Sequence, residues 1–186
     1  MAIMGRLLKN RRAGEEHVAW HRANLDGPDT LDLRSDAFAH GATMPLAQVG
    51  RRAGGGNVSP DLAWKPAPAG TAQLLFVMED PDVPISSPAV HTVALIDPEL
   101  TALPTGALDA KAPAEGVRIL RSTFRSGYLG PEPIKGHGPH RYVFQLFALE
   151  NALDGAALAK ARPREVLASV NGPILARGRL DGIYER

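Results

Sequence analysis

The sequence predicts an all-β fold, most simply two sheets packed face to face, with one or two peripheral helices. Three observations predict it. The apolar residues fall in short runs, at 74–78, 90–96 and 142–149, rich in β-branched and aromatic side chains. Nineteen glycines and 16 prolines punctuate the chain, which favours turns over long helices. Only one late segment carries convincing helical spacing.

Residues 1–30 come first and form an N-terminal extension, a short helix or a partly disordered arm. Ile3, Met4, Leu7 and Leu8 fall on one helical face, with Arg6, Lys9 and Arg12 around it. That face suits packing on the body or on a second subunit; it is too short for a strong membrane anchor. The rest, 31–186, reads as one domain. Leu31 and Leu33 alternate with Asp32 and Arg34 as in a half-buried strand. Residues 50–56 are a basic, Gly-rich turn without the Gly-Lys-Ser/Thr ending of a phosphate loop. Residues 74–78 are apolar on both faces and predict a central strand. Residues 90–96 and 142–149 are similar, and 117–124 is a weaker strand. Pro163 suits a first helical turn, after which Val166, Leu167, Val170, Ile174 and Leu175 recur at helical spacing. Asn171-Gly172-Pro173 predicts a kink or break there. Residues 179–184 close the chain as a final strand.

Composition bounds the function. Lys and Arg number 21 against 20 Asp and Glu, a net charge of +1, so a nucleic-acid binder is not expected. There is no cysteine, which excludes disulfides and thiolate metal sites and fits a reducing, cytoplasmic setting. No apolar run approaches about 18 residues, so no membrane insertion is expected.

Chemistry concentrates in two segments. Asp80-Pro81-Asp82-Val83-Pro84 directly succeeds a strand, with His91 further on. A strand end can hand polar groups to a cleft, and Pro81 and Pro84 stiffen the loop. Val83–Pro84 is a candidate cis bond. The second segment holds Gly130-Pro131-Glu132-Pro133 and Gly138-Pro139-His140-Arg141-Tyr142. Taken singly, Asp-Pro-Asp reads as a turn bonded to its own backbone, and each histidine as a satisfied structural residue. As a set they offer a polar pocket. A carboxylate accepting from one imidazole nitrogen fixes the tautomer, and the ring can then donate to a phosphate oxygen. Two histidines and a carboxylate can hold iron or zinc, but no His-x-His or His-Glu-x-x-His spacing occurs, so no metal or other cofactor is expected. Ser86 and Ser87 lack a Gly-x-Ser-x-Gly elbow.

These residues resemble the phosphatidylethanolamine-binding protein family, especially its bacterial, Raf-kinase-inhibitor-like branch. The resemblance runs from Leu31 to Arg186. Its landmarks occur in order: Asn57-Val58-Ser59-Pro60-Asp61-Leu62-Ala63-Trp64, Asp80 to Pro84, His91, Tyr128-Leu129-Gly130-Pro131-Glu132-Pro133, Gly136 to Phe144 and Gly182-Ile183-Tyr184. It implies a Greek-key β-sandwich with a C-terminal-region helix beside one mouth. It also implies a pocket for phosphate, acetate or a phospholipid head group. By position that pocket comprises Asp80, Asp82, His91, Gly130, Pro133, His140 and Tyr142. His91 and Tyr142 are expected to donate to the anion, helped by N–H groups near Gly130, while Asp80 orients a histidine and Asp82 and His140 complete the wall. Val90 and Thr92 stand where bacterial relatives carry aromatic residues, which implies a less apolar mouth. Glu132, a rim residue, would repel anions unless paired with Lys135 or Arg141.

Three functions compete at this point. The first is a small-anion binding protein that modulates a kinase or protease. The second is a hydrolase-like enzyme using the His/Asp pocket as acid and base, against which no nucleophile or metal set is evident. The third is a structural oligomer, for instance a homodimer, with a vestigial pocket.

Overall fold

The computed structural model describes residues 2–124 and 126–186. Its strands are β1 (Ala42–Thr43), β2 (Leu62–Ala63), β3 (Gln73–Asp80), β4 (Ala89–Ile96), β5 (Ala102–Leu103), β6 (Val117–Ile119), β7 (His140–Leu149) and β8 (Ile174–Tyr184). Two short helices, α1 (Ala2–Leu8) and α2 (Pro163–Ser169), complete the regular structure with five 3-10 turns. Six strands form one sheet in the order β1-β8-β7-β3-β4-β6, antiparallel except where β1 joins β8; β2 and β5 form a separate two-stranded ladder.

The large sheet is covered on both faces, which is why its central strands are apolar throughout. Along β3 the side chains alternate with a period of two. Leu74, Phe76 and Met78 point to a core shared with Leu62, Trp64 and Leu103 of the β2/β5 side. Leu75 and Val77 point the other way, to a core with Val166 and Leu167 of α2 and with Ala19 and Leu25 near the N-terminus. Each fully buried side chain of this size contributes roughly 1.5–3 kcal/mol.

The N-terminal residues are thus part of the second core. Three 3-10 turns between Glu15 and Leu25 lay Val18, Ala19 and Leu25 down as buried residues. They are pinned by polar groups inside the protein. Glu79 is fully buried and accepts from the Ala19 N–H at 2.6 Å and the Gln145 amide at 2.9 Å. The Trp20 N–H donates to Gln145 at 2.6 Å, and Arg164 of α2 pairs with Glu79 at 2.7 Å. Arg177 covers the Trp20 ring, 4.0 Å from its centroid. By contrast Ile3, Met4 and Leu7 of α1 face solvent. That helix touches the body through Gly5, where any side chain would run into the backbone of residues 135–137.

Five expectations need correction. The helical spacing does not continue to Ile174 and Leu175: α2 ends at Ser169, Gly172 takes a φ of 81°, and Pro173 has no N–H to continue a helix. The last strand therefore starts at Ile174, well before residue 179. Leu31 and Leu33 are buried as expected, but Asp32 takes a φ of 54°, which breaks any strand there. Residues 117–124 form a ladder only to Ile119 and then run beside β4 irregularly, through Leu120 N–H to Val93 and Thr123 N–H to Val90. Finally, the described peptide bonds are all trans, Val83–Pro84 included.

Candidate functional site

At one end of the large sheet three neighbouring strands deliver polar side chains to one place. β3 ends in Asp80, β4 carries His91 near its start, and β7 begins with His140 and Tyr142. His91 arrives through a β-bulge. Met78 pairs with Thr92 and Glu79 with Val90, so His91 is the extra residue. The bulge lets Val90 keep to the α2 face while the His91 ring meets the Tyr142 ring edge-on, with centroids 5.3 Å apart.

These residues line a cavity of about 650 Å³. Its floor is Asp80, His91, His140 and Tyr142. Its sides include Val83, Pro84, Ile85, Phe124, Leu129, Pro133 and Ile134, and Arg51, Arg52 and Glu132 stand at the same opening. Five of the seven expected pocket residues, Asp80, His91, Pro133, His140 and Tyr142, therefore share one cavity.

Asp82 and Gly130 do not line it, and each departure has a reason. The two side chains of Asp80-Pro81-Asp82 diverge. Asp82 is buried behind the wall and accepts from the Arg141 N–H at 2.8 Å and Nε at 3.0 Å, and from Arg12 at 2.9 Å. Burial works to raise its pKa; the hydrogen bonds from Arg141, and then the Arg141 and Arg12 charges, outweigh that and hold it below the usual carboxylate value. Gly130 is a packing point. Its N–H is not free for a ligand, since it donates to Asn57 Oδ1 at 3.0 Å. Asn57 also donates to the Tyr128 carbonyl, and the Tyr128 hydroxyl donates to the Gln48 carbonyl. Asn57 holds a φ of 57°, a left-handed conformation that Asn tolerates better than most residues. Residues 48–57 and 128–131 are so clamped together that a Gly130 side chain would overlap the Gln48 carbonyl oxygen. Gly130→Ala is expected to lower stability by about 1–3 kcal/mol through overpacking, read as a lower urea midpoint; an unchanged midpoint would show that the two loops can separate freely.

Glu132 is paired with neither Lys135 nor Arg141. It folds back on Gly50 and accepts from the Arg52 N–H at 3.0 Å. Arg141 is taken by Asp82 and Glu15. The expected loss of aromatic character beside His91 is made up from elsewhere: the Phe124 ring lies edge-on to it at 5.8 Å.

The contacts set the charge states. The His91 Nδ1–H donates to the Leu129 carbonyl at 2.8 Å, since a carbonyl can only accept, and this leaves Nε2 without a partner among the described residues. Burial lowers the His91 pKa, against an opposing pull from Asp80, so the ring is neutral near pH 7 and Nε2 is an acceptor. The Tyr142 hydroxyl is buried and makes no hydrogen bond of good geometry to a described residue. Burial and then the nearby Asp80 carboxylate raise its pKa well above the ordinary value, so it stays a donor. Asp80 accepts from the Asp82 N–H at 2.8 Å and from His140 Nδ1 at 2.7 Å. Among the described residues no three His, Asp or Glu are grouped to hold a metal ion.

Sequence reading missed Arg51, Arg52, Ile85 and Phe124. The basic turn at 50–56 was visible, but nothing in it pointed at a pocket built from strands further along the chain.

The fold and this site define a β scaffold with a cavity of polar floor at one end of its large sheet. The phosphatidylethanolamine-binding protein family model matches residues 34–185, and the chain belongs to that family. It is 33% identical over 194 residues to a fungal phomoidride biosynthesis cluster protein B, covering 98% of this chain and 92% of that one. Among solved structures, Escherichia coli YbcL superimposes with a TM-score of 0.73 at 28% identity, over 84% of this chain and 98% of that one. The carboxypeptidase Y inhibitor, solved with its cognate proteinase, shares the fold at a TM-score of 0.54 and 20% identity, over 84% of both chains. No helix among the described residues is long and apolar enough to cross a membrane.

Proposed function

We propose that this chain binds a small anion, phosphate, a carboxylate or a phosphorylated head group, in the 650 Å³ cavity and so modulates a protein partner such as a kinase or protease. In this reading residues 31–186 form a Greek-key β-sandwich that carries the pocket, and residues 1–30 are an extension that braces one wall. One observation carries the proposal. The Tyr142 hydroxyl and His91 Nε2, two polar atoms at the floor of a largely apolar cavity, make no hydrogen bond of good geometry to a described residue, the hydroxyl having only the Asp80 carboxylate and the Glu132 backbone beside it. An unsatisfied buried polar group costs about 1–3 kcal/mol, which a ligand oxygen would recover. Arg51 and Arg52 add positive charge at the opening. The carboxypeptidase Y inhibitor, which shares the fold and was solved with its cognate proteinase, supports a protein partner in this reading.

The floor sets a condition on the ligand. Neutral His91 offers only a lone pair at Nε2, so one proton must lie between it and any anion, supplied by ring protonation or by an acidic ligand O–H. Calorimetric titration with acetate, phosphate and phosphoethanolamine at pH 6 and pH 8 tests this. Acetate is the cleanest probe because it does not itself titrate in that range. Stronger acetate binding at pH 6 is expected; absence of binding of all three anions at both values would overturn the reading.

A further inference from the structure

Behind the pocket floor runs a chain of hydrogen bonds that the anion site does not need. Asp80 Oδ2 meets His140 Nδ1 at 2.7 Å, and His140 Nε2 meets His137 Nδ1 at 2.7 Å. His137 Nε2 in turn meets the Leu8 carbonyl at 2.8 Å and the Arg11 carbonyl at 3.1 Å. Both imidazoles are almost completely buried.

Counting protons shows what this chain of contacts needs. The carbonyls can only accept, so His137 Nε2 must carry a proton. The nitrogen–nitrogen contact needs a second, and the contact with Asp80 a third. Two neutral imidazoles supply only two. The third either makes one ring cationic beside the Asp80 carboxylate or sits on Asp80 itself. Without it, one of the contacts becomes lone pair against lone pair at hydrogen-bonding distance, and either the rings separate or His137 releases the carbonyls of residues 8 and 11.

We propose that His137 is a positioning residue of the pocket: it shares one ionisable proton with His140, and through that proton the charge of the pocket floor is coupled to the docking of residues 8–12. The inference rests on the cavity's being an anion site. His140 lines the cavity and His137 does not. An anion beside His140 favours retention of the third proton, and the retained proton favours docking of the N-terminal segment. By linkage, a docked segment strengthens anion binding to the same degree. The groups that face the pair are Asp80 on β3, His91 on β4, Tyr142 on β7 and Glu132 at the opening. On the N-terminal side lies Arg12, which donates to the Pro139 carbonyl and pairs with Asp82, itself bound to Arg141. Lys135 and Arg186 flank the loop, where the Gly136 N–H donates to the Arg186 carbonyl.

Two variants separate this role from simple packing. In His137→Gln the amide N–H can still donate to the Leu8 carbonyl while the amide oxygen accepts from His140, so the contact with Asp80 still calls for the third proton. His137→Phe fills the space without either bond. Acetate affinity is measured by calorimetry from pH 6 to pH 8, and tryptic cleavage after Arg6, Lys9 and Arg11 reports docking. At pH 8 His137→Phe is expected to bind acetate about tenfold more weakly than the parent, the equivalent of one pH unit in the profile, and to be cut faster. His137→Gln is expected to hold its affinity at pH 8. Superimposable pH profiles for the parent and His137→Phe would overturn the coupling. If the parent binds neither acetate nor phosphate, the anion reading fails by itself. The histidine pair is then judged from imidazole ¹⁵N and Asp80 carboxyl ¹³C spectra of the ligand-free protein: three protonated nitrogens of the four, or two with a protonated Asp80, support the shared proton, and two with an ionised Asp80 overturn it.

Discussion

Glu79→Ala is expected to destabilise the chain by about 3–5 kcal/mol, the range for removing one member of a buried charged pair. Glu79 has no exposure to solvent, and its carboxylate serves three partners from three parts of the chain: the Ala19 N–H, the Gln145 amide and Arg164 of α2. Alanine leaves the first two buried and unpaired, at about 1–3 kcal/mol each. Arg164 loses less, because its side chain is one-third exposed and can take up water. The effect should spread in a defined direction. Gln145 also holds the Trp20 N–H, and Trp20 lies against Phe147 and under Arg177. Urea denaturation gives the stability, and hydrogen exchange over residues 15–25 gives the location. A loss of under about 1 kcal/mol would mean that water replaces the carboxylate at little cost, and that the N-terminal turns are held by their apolar residues instead.

That network also shows what the sequence does and does not reveal. β3, β4 and β7 were legible because a sheet covered on both faces writes its strands as continuous apolar runs. β1, β2 and β5 were not, being two residues each and defined only by what they pair with. The helix break at Asn171-Gly172-Pro173 was legible because proline chemistry is local. The strand beyond the break was not, because Ile174 and Leu175 suit a helix and a strand equally until β7 lies beside them. The site divides in the same way. Asp80, His91, His140 and Tyr142 stood out as polar residues at strand ends. Their geometry depended on a bulge at His91, which no spacing announces. Asp82 turns away from the cavity, and two aspartates separated by one proline give no sign of which way each turns; only Arg141 and Arg12, approaching from the far side, decide it. His137 passed as part of the Gly136 to Phe144 landmark, since its carbonyl partners lie 126 and 129 residues away.

His91→Ala is expected to weaken acetate and phosphate binding at pH 6 by at least tenfold, since a hydrogen bond to a charged partner contributes about 1.5–3 kcal/mol. It should also remove most of the pH dependence of acetate binding. Burial holds the His91 pKa below 6.5 in the free protein, and a bound anion raises it. Binding therefore takes up a proton. Affinity rises as the pH falls through the pKa of the complex and levels off below that of the free protein, where the ring is already charged. Alanine has nothing to titrate, so the part of the slope that belongs to His91 vanishes; whatever slope remains is the share of the His137–His140 proton. The substitution also removes the bond to the Leu129 carbonyl and the ring between Phe124 and Tyr142. A loss of affinity alone could thus come from a slackened wall. The slope separates the two causes: a slackened wall lowers affinity equally at pH 6 and pH 8, whereas loss of the imidazole proton lowers it chiefly at pH 6. Unchanged affinity with an unchanged slope would place the anion away from His91, toward Arg51 and Arg52 at the opening.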